Sequence, residues 1–272
     1  MALEEAKIIE HRENARNSRL DAMALLRDLR RSQLKTFYPE GSSEIERLEQ
    51  LYGKYLYLPF DVPVIKFNDL AKFKDWWKVH NRPITKTKDD LSGAGAKGYT
   101  NWDAVDIVNE GESTWTKHLV PEFDLEFPEI KQQVLEYFPI KQMAGLVIWS
   151  NNKSIPEHRD HAAALDLPIS FRVMLEDENP ESTMEVCENS LEPFGYDEYF
   201  RLPRLPETNS FGWNNLRTMH RSSFDPLHRK WLMILHCSVK EKEFEDLMER
   251  SIAKFGQHAK TSSLSMGNFM LD

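Results

Sequence analysis

Apolar positions change their spacing along the chain. Residues 2–38 contain neither Pro nor Gly and are rich in Ala, Leu, Glu and Arg, a composition that favours helix. Leu20, Ala24, Leu25 and Leu29 recur there as one stripe, and Ser18 followed by Asp21 is a helix-start signal inside the stretch. The segment YPEGS, at 38–42, interrupts the pattern, and a second helix is predicted over 43–55. VPVIKF (62–67) then reads as a strand and LAKFKDWWKVH (70–80) as a helix. A polar loop over 81–98 ends in SGAGAKG. YTNWDAVDIVN (99–109) suits a strand. Residues 127–139 suit a helix, with Pro128 at its start and Pro139 closing it.

From residue 140 the apolar runs shorten to strand length. Strands are predicted over 141–150, 168–177, 183–189, 209–215, 216–222 and 229–239, with turn-rich residues between them. Such a succession indicates a sandwich or barrel rather than a βαβ sheet. Over 240–255, Phe244, Leu247, Met248, Ile252 and Phe255 mark one face of a helix, and Gly256 stands at its C-cap. The last dozen residues read as a loose tail.

Composition narrows the class. A chain of 272 residues with 40% hydrophobic and 11% aromatic content can bury a sizeable core and is globular rather than disordered. The net charge of −9 disfavours nucleic acid as a partner, since a grip on phosphates calls for a basic balance. Two cysteines, Cys187 and Cys237, lie far apart without CxxC partners, so a reducing compartment is expected. The N-terminal residues are charged and lack the apolar core of a secretory signal. The longest apolar runs, AGLVIW and WLMIL, fall well short of the roughly 20 residues that span a bilayer. A cytoplasmic protein with no membrane partner is expected.

Some motifs carry no chemistry. Gly93, Gly95 and Gly98 fit GxGxxG, but a polar stretch precedes them and a predicted strand follows, the reverse of a dinucleotide fingerprint. They read as a mobile loop. The chain has no Gly-Lys-Ser/Thr and no GxSxG. Tryptophans 76, 77, 102, 115, 149, 213 and 231 are scattered and read mainly as core or pocket wall.

One constellation does carry chemistry. In IPEHRDHAAALD (155–166), His158 and Asp160 are two residues apart. On an extended segment they face one side, and an imidazole and a carboxylate can converge on one ion. Two His and one carboxylate with open positions suit non-haem Fe(II). A third ligand is therefore sought on a later strand. His220 lies in LRTMHRS, 60 residues after Asp160, and Arg229 follows nine residues later at the head of RKWLMIL. A hairpin would bring Arg229 beside His220, where its fork could hold a carboxylate. His161 would point away from the pair, His228 sits in a solvent-facing turn, and His236 reads as structural. A turn-forming Asp160 and two structural histidines are the bland alternative.

Together these residues resemble the hallmark of the Fe(II)- and 2-oxoglutarate-dependent oxygenases over about residues 128–239: HRD at 158–160, the distal His220 and Arg229. HRDHAAALDLPISFRVML is most similar to the aspartyl/asparaginyl β-hydroxylase and cis-proline hydroxylase branch, in which Arg172 is the matching position. Two departures stand out. The Arg-x-Ser of some cosubstrate sites is absent, and Asp160 is kept where several members of that branch lack the carboxylate. The first 125 or so residues carry no such resemblance.

The resemblance implies an α+β fold, with a double-stranded β-helix (jelly-roll) core, N-terminal helices and a C-terminal helix. The corresponding division is an N-terminal helical segment (1–58), an oxygenase domain (59–258) and a tail (259–272). Fe(II) would be held by His158, Asp160 and His220, and 2-oxoglutarate, the cosubstrate, by Arg229. Arg172 would meet a substrate carboxylate or pair with an internal acid. Trp149, Trp213, Asn214 and Asn215 would line the pocket. The implied reaction is hydroxylation, or another oxidation, of an unactivated C–H in a small carboxylate-bearing molecule such as an amino acid or derivative, with O2 as co-reactant. The N-terminal helices could buttress the sheet or form a homodimer contact. Two other classes use the same ligands without needing Arg229: a metal-dependent hydrolase with an activated water and a non-catalytic jelly-roll binding module.

Overall fold

The computed structural model describes residues 42–83, 103–109, 120–151, 155–158, 169–178, 184–188, 199–214, 218–222 and 229–262. The helix expected within 2–38, the glycine-rich loop and residues 263–272 lie outside them.

Helix α1 (Ser42–Tyr52) stops short of the predicted 43–55 boundary, and the chain enters a strand that the pattern did not announce. In this strand, β1 (Tyr55–Pro59), all five residues are buried. The next segment shows the opposite discrepancy. Residues 62–67, expected as a strand, join no sheet. Pro63 has no N–H for a ladder, and side-chain amides satisfy its neighbours instead. Ile65 N donates to Asn209 Oδ1 (3.0 Å), and Asn209 Nδ2 donates to Ile65 O (2.7 Å). Gln133 makes the same pair of bonds with Lys66, at 3.1 and 3.0 Å.

Helix α2 (Leu70–His80) matches its predicted span. Asp69 caps it by accepting from Lys72 N, and its buried face is Phe73, Trp76 and Trp77. A short strand, β2 (Arg82–Pro83), and β3 (Asp103–Asn109) follow. Next come a one-turn helix, α3 (Phe123–Glu126), and α4 (Pro128–Tyr137), with its proline in the first turn as predicted. The remaining strands are β4 (Ile140–Asn151), β5 (Ile155–His158), β6 (Ser170–Asp177), β7 (Met184–Glu188), β8 (Phe200–Arg201), β9 (Ser210–Trp213), β10 (Thr218–Ser222) and β11 (Lys230–Val239). Helix α5 (Glu241–Phe255) runs into a 3-10 turn, so Gly256 caps it in a right-handed rather than left-handed conformation (φ −56°). Lys260 and Thr261, within the stretch read as a tail, form β12 against β1.

The strands build two antiparallel sheets. The larger has the order β12-β1-β9-β6-β11-β4-β3-β2, and the smaller β5-β10-β7-β8. From β4 onward the chain alternates between them. It passes from β4 in the large sheet to β5 in the small one, returns for β6, crosses for β7 and β8, returns for β9, crosses for β10 and ends in the large sheet with β11. Mixed helix and antiparallel sheet is thus the architecture.

Strand β11 shows how the layers are ordered. Trp231, Met233, Leu235, Cys237 and Val239 join the main core, with Phe73, Trp76 and Trp77 of α2 and Phe244, Leu247 and Met248 of α5. Leu232, on the other face, joins a second cluster: Tyr57, Phe211 and Trp213 from the large sheet, Val186, Met184 and Phe200 from the small one. One face of β11 therefore meets helices and the other meets the small sheet. Each fully buried Leu or Met stabilises this arrangement by about 1.5–3 kcal/mol.

Candidate functional site

The two histidines expected as ligands hold paired backbone positions in the small sheet. Strands β5 and β10 are antiparallel neighbours, and His158 is the register partner of His220. Partners in such a ladder stand about 4.5–5.5 Å apart at Cα and share a face of the sheet. The ring of His220 identifies that face. It is buried and packs against the indole of Trp213, on β9 of the large sheet, with centroids 4.5 Å apart and an interplanar angle of 33°. His220 therefore looks into the space between the sheets.

The start of β10 is tied down by polar contacts. Thr218 N donates to Asn214 O (2.9 Å), and Thr218 Oγ1 donates to Leu56 O (3.1 Å). Asn214, expected as pocket lining, is buried and donates from Nδ2 to Gly53 O (2.9 Å). These bonds fix the approach of β9 to β10, and with it the spacing of Trp213 and His220. Asp160, His161, Asn215 and His228 lie outside the described residues. Among the described residues no group of three metal-ligating side chains forms, and the paired histidines are the part of the expected ligand set that they include.

Arg229 does not share this space. It precedes β11 by one residue and is two residues from Trp231, so alternation puts it on the helix-facing side. Its guanidinium donates to Asp103 Oδ2 (2.7 Å) and to Ser150 Oγ (3.4 Å), and its backbone N–H donates to Glu178 Oε2 (2.9 Å). The protein carboxylate considered as its alternative partner is thus Asp103. The sequence reading places Arg229 beside His220; the contacts described for it are with Asp103, Ser150 and Glu178, and a one-residue offset along a strand sends a side chain to the opposite face.

That offset places Lys230 inward. Lys230 is buried, shares the Leu232 face of β11, and donates from Nζ to Ser222 Oγ (3.3 Å), two residues along β10 from His220. The large sheet thereby presents a buried lysine to the strand that carries His220. The sequence does not separate Arg229 from Lys230, because they are adjacent bases heading a mainly apolar strand. Their spacing from His220 differs by one residue, and which face each takes is set by the strands that β11 pairs with.

Arg172, on β6, is 1% exposed. Its guanidinium donates to Ser170 Oγ and lies over the Trp213 ring, with Cζ 3.8 Å from the centroid. Ser170 Oγ donates to Trp213 O (3.3 Å), so one hydroxyl links the cation to the backbone of the residue it covers. Trp149 packs with Ala104, Val147 and Ile234, and so stands on the face of β4 opposite to Ile148. Tyr57 closes the inter-sheet cluster. Burial pushes its phenol far above the usual tyrosine range.

No protein-family model and no curated protein matches the sequence. Solved structures that resemble the chain include a prolyl hydroxylase from Trichoplax adhaerens in complex with a hypoxia inducible factor oxygen degradation domain peptide. It shares 8% identity, over 74% of this chain and 94% of that one, with a TM-score of 0.39. The non-haem alpha ketoglutarate dependent carbocyclase SnoK from nogalamycin biosynthesis shares 12% identity, over 74% and 90% of the two chains, with a TM-score of 0.39. A Pseudomonas putida prolyl-4-hydroxylase shares 9% identity, over 71% and 98%, with a TM-score of 0.37. A likeness this distant carries no weight for function, which rests on the chain's own residues.

Proposed function

We propose that this chain is an Fe(II)- and 2-oxoglutarate-dependent oxygenase that oxidises an unactivated C–H of a small carboxylate-bearing substrate, on a double-stranded β-helix core. The observation that carries the proposal is the register pairing of His158 with His220 on the face opposed by Trp213. Strand alternation from β4 to β11 supports the fold assignment.

The donor set fits the metal. Two cross-strand imidazoles, with the carboxylate of Asp160 two residues beyond His158, make the two-His, one-carboxylate set that suits Fe(II) and leaves positions open. When bound, iron and 2-oxoglutarate supply the oxidation, converting substrate C–H, 2-oxoglutarate and O2 into C–OH, succinate and CO2. The protein holds and orients the reactants. Lys230, rather than Arg229, receives the distal carboxylate of the cosubstrate, because its ammonium is buried on the inter-sheet face beside Ser222 of the strand that carries His220, whereas Arg229 lies on the opposite face. Arg172 receives the substrate carboxylate, with Trp149 and Asn215 along the pocket. Leu232, Met174 and Phe211 pack between the sheets and exclude water, which strengthens each of these charge contacts.

The test is succinate release from 2-oxoglutarate under air, with added Fe(II) and a panel of amino acids and their acyl derivatives. Wild-type protein forms succinate with at least one member, and His220→Ala forms none while keeping its circular dichroism. Full turnover by His220→Ala would remove His220 from the metal site and defeat the proposal.

A further inference from the structure

Arg172 and His220 both pack against the indole of Trp213 in the space between the sheets. The guanidinium carbon of Arg172 is 3.8 Å from the indole centroid, and the imidazole centroid is 4.5 Å from it. All three residues are nearly or fully buried, at 1%, 1% and 6% exposed. Beside the phenyl ring of Phe211, 5.7 Å away, the indole meets two groups that are cationic or become so: a guanidinium is always charged, and an imidazole that ligates a divalent metal carries part of the metal's charge. An indole face is electron-rich and attracts such groups, most strongly where water is excluded.

We propose that Trp213 is a positioning residue for the metal, acting through His220, and that Arg172 in turn fixes Trp213. This rests on the reading of His220 as a ligand. Three contacts through Ser170 hold the backbone of Trp213 and the guanidinium that lies over its ring. The Trp213 carbonyl accepts from Ser170 Oγ, its strand pairs Trp213 with Ser170, and the Ser170 hydroxyl also accepts from Arg172. The next residue, Asn214, is bonded through its backbone carbonyl to the start of β10, two residues before His220. The indole therefore cannot rotate without disturbing Arg172, and the imidazole rests against a wall of fixed orientation. A ligand held in its binding plane loses less freedom when the metal arrives, which raises affinity.

Co(II) binding to the metal-free protein, followed by visible absorption without cosubstrate or turnover, tests this. Residues that orient a ligand typically change metal affinity by about 10- to 100-fold. Trp213→Met, which fills the space with a flexible apolar chain, is expected to weaken Co(II) binding about tenfold and to shift its absorption bands. Trp213→Phe keeps a ring against the imidazole and is expected to stay within about threefold of wild type. His220→Ala is run alongside. If it binds Co(II) normally, the metal-site reading fails. If it loses Co(II) while Trp213→Met binds with wild-type affinity and spectrum, the positioning role alone is overturned. Should Trp213→Met not fold, Arg172→Met replaces it. That variant leaves the indole but frees it, so a loss of at least about threefold is expected and an unchanged affinity overturns the proposal.

Discussion

At the scale of the residue, the adjacent cations Arg229 and Lys230 separate into two roles by strand alternation. Lys230→Met removes the charge proposed to hold a carboxylate. One charge-assisted hydrogen bond is worth about 1.5–3 kcal/mol, so the dissociation constant for 2-oxoglutarate, measured by calorimetry with Mn(II) in place of iron, should rise by about 10- to 100-fold. Arg229→Met breaks a partly exposed pair with Asp103 and should cost only about 0.2–1 kcal/mol of stability, with 2-oxoglutarate affinity unchanged. If the two variants exchange these effects, Arg229 is the anchor after all. The sequence singles out His158 and His220 because ligand chemistry limits the residue types that can serve, and the structure pairs them in register. It cannot say which face Arg229 and Lys230 take, since a face assignment depends on register, and register is a property of the neighbouring strands.

At the scale of the element, long-range polar contacts decide what local pattern cannot. Residues 62–67 are apolar enough to read as a strand, yet Asn209 and Gln133 take up the backbone groups of Ile65 and Lys66 from far along the chain. Asn209 also donates to Met174 O (2.9 Å). Replacing it with Ala removes all three of its bonds and leaves partly buried backbone groups unsatisfied, an expected loss of about 2–3 kcal/mol in urea unfolding. A change below a few tenths would show that water substitutes for the amide. In β9, Gly212 permits a close crossing: a Cβ there would lie 2.6 Å from Ser170 O and 2.8 Å from Phe60 Cζ, and would overlap the Ile169 side chain. Gly212→Ala should therefore lower the melting temperature markedly, and an unchanged value would mean that β9 can shift. The reverse error, β1, came from a Tyr- and Leu-rich run whose period does not distinguish strand from helix end. By contrast, α4 was legible because Pro128 marks its start.

At the scale of the molecule, the packing of α1 and β1 links stability to pH. Burial raises the phenol pKa values of Tyr52, Tyr55 and Tyr57. Unfolded phenols ionise near about 10, so the stabilisation is complete below that pH and is lost as pH rises beyond it toward the higher folded values. Urea unfolding at successively alkaline pH should show this decline, and Tyr57→Phe should make it shallower. An identical slope in the variant would contradict the assignment. The alternation of strands between two sheets could be anticipated only as a succession of short strands, because which sheet each joins is fixed by partners distant in the chain. The central claim is that those sheets enclose an Fe(II) and 2-oxoglutarate site built on His158 and His220. Its most direct test is an anaerobic titration of the protein with Fe(II) and then 2-oxoglutarate, followed in the visible range. The account predicts a weak charge-transfer band that saturates at one equivalent and is absent in His220→Ala; no band in the wild type, or the same band in His220→Ala, would contradict it.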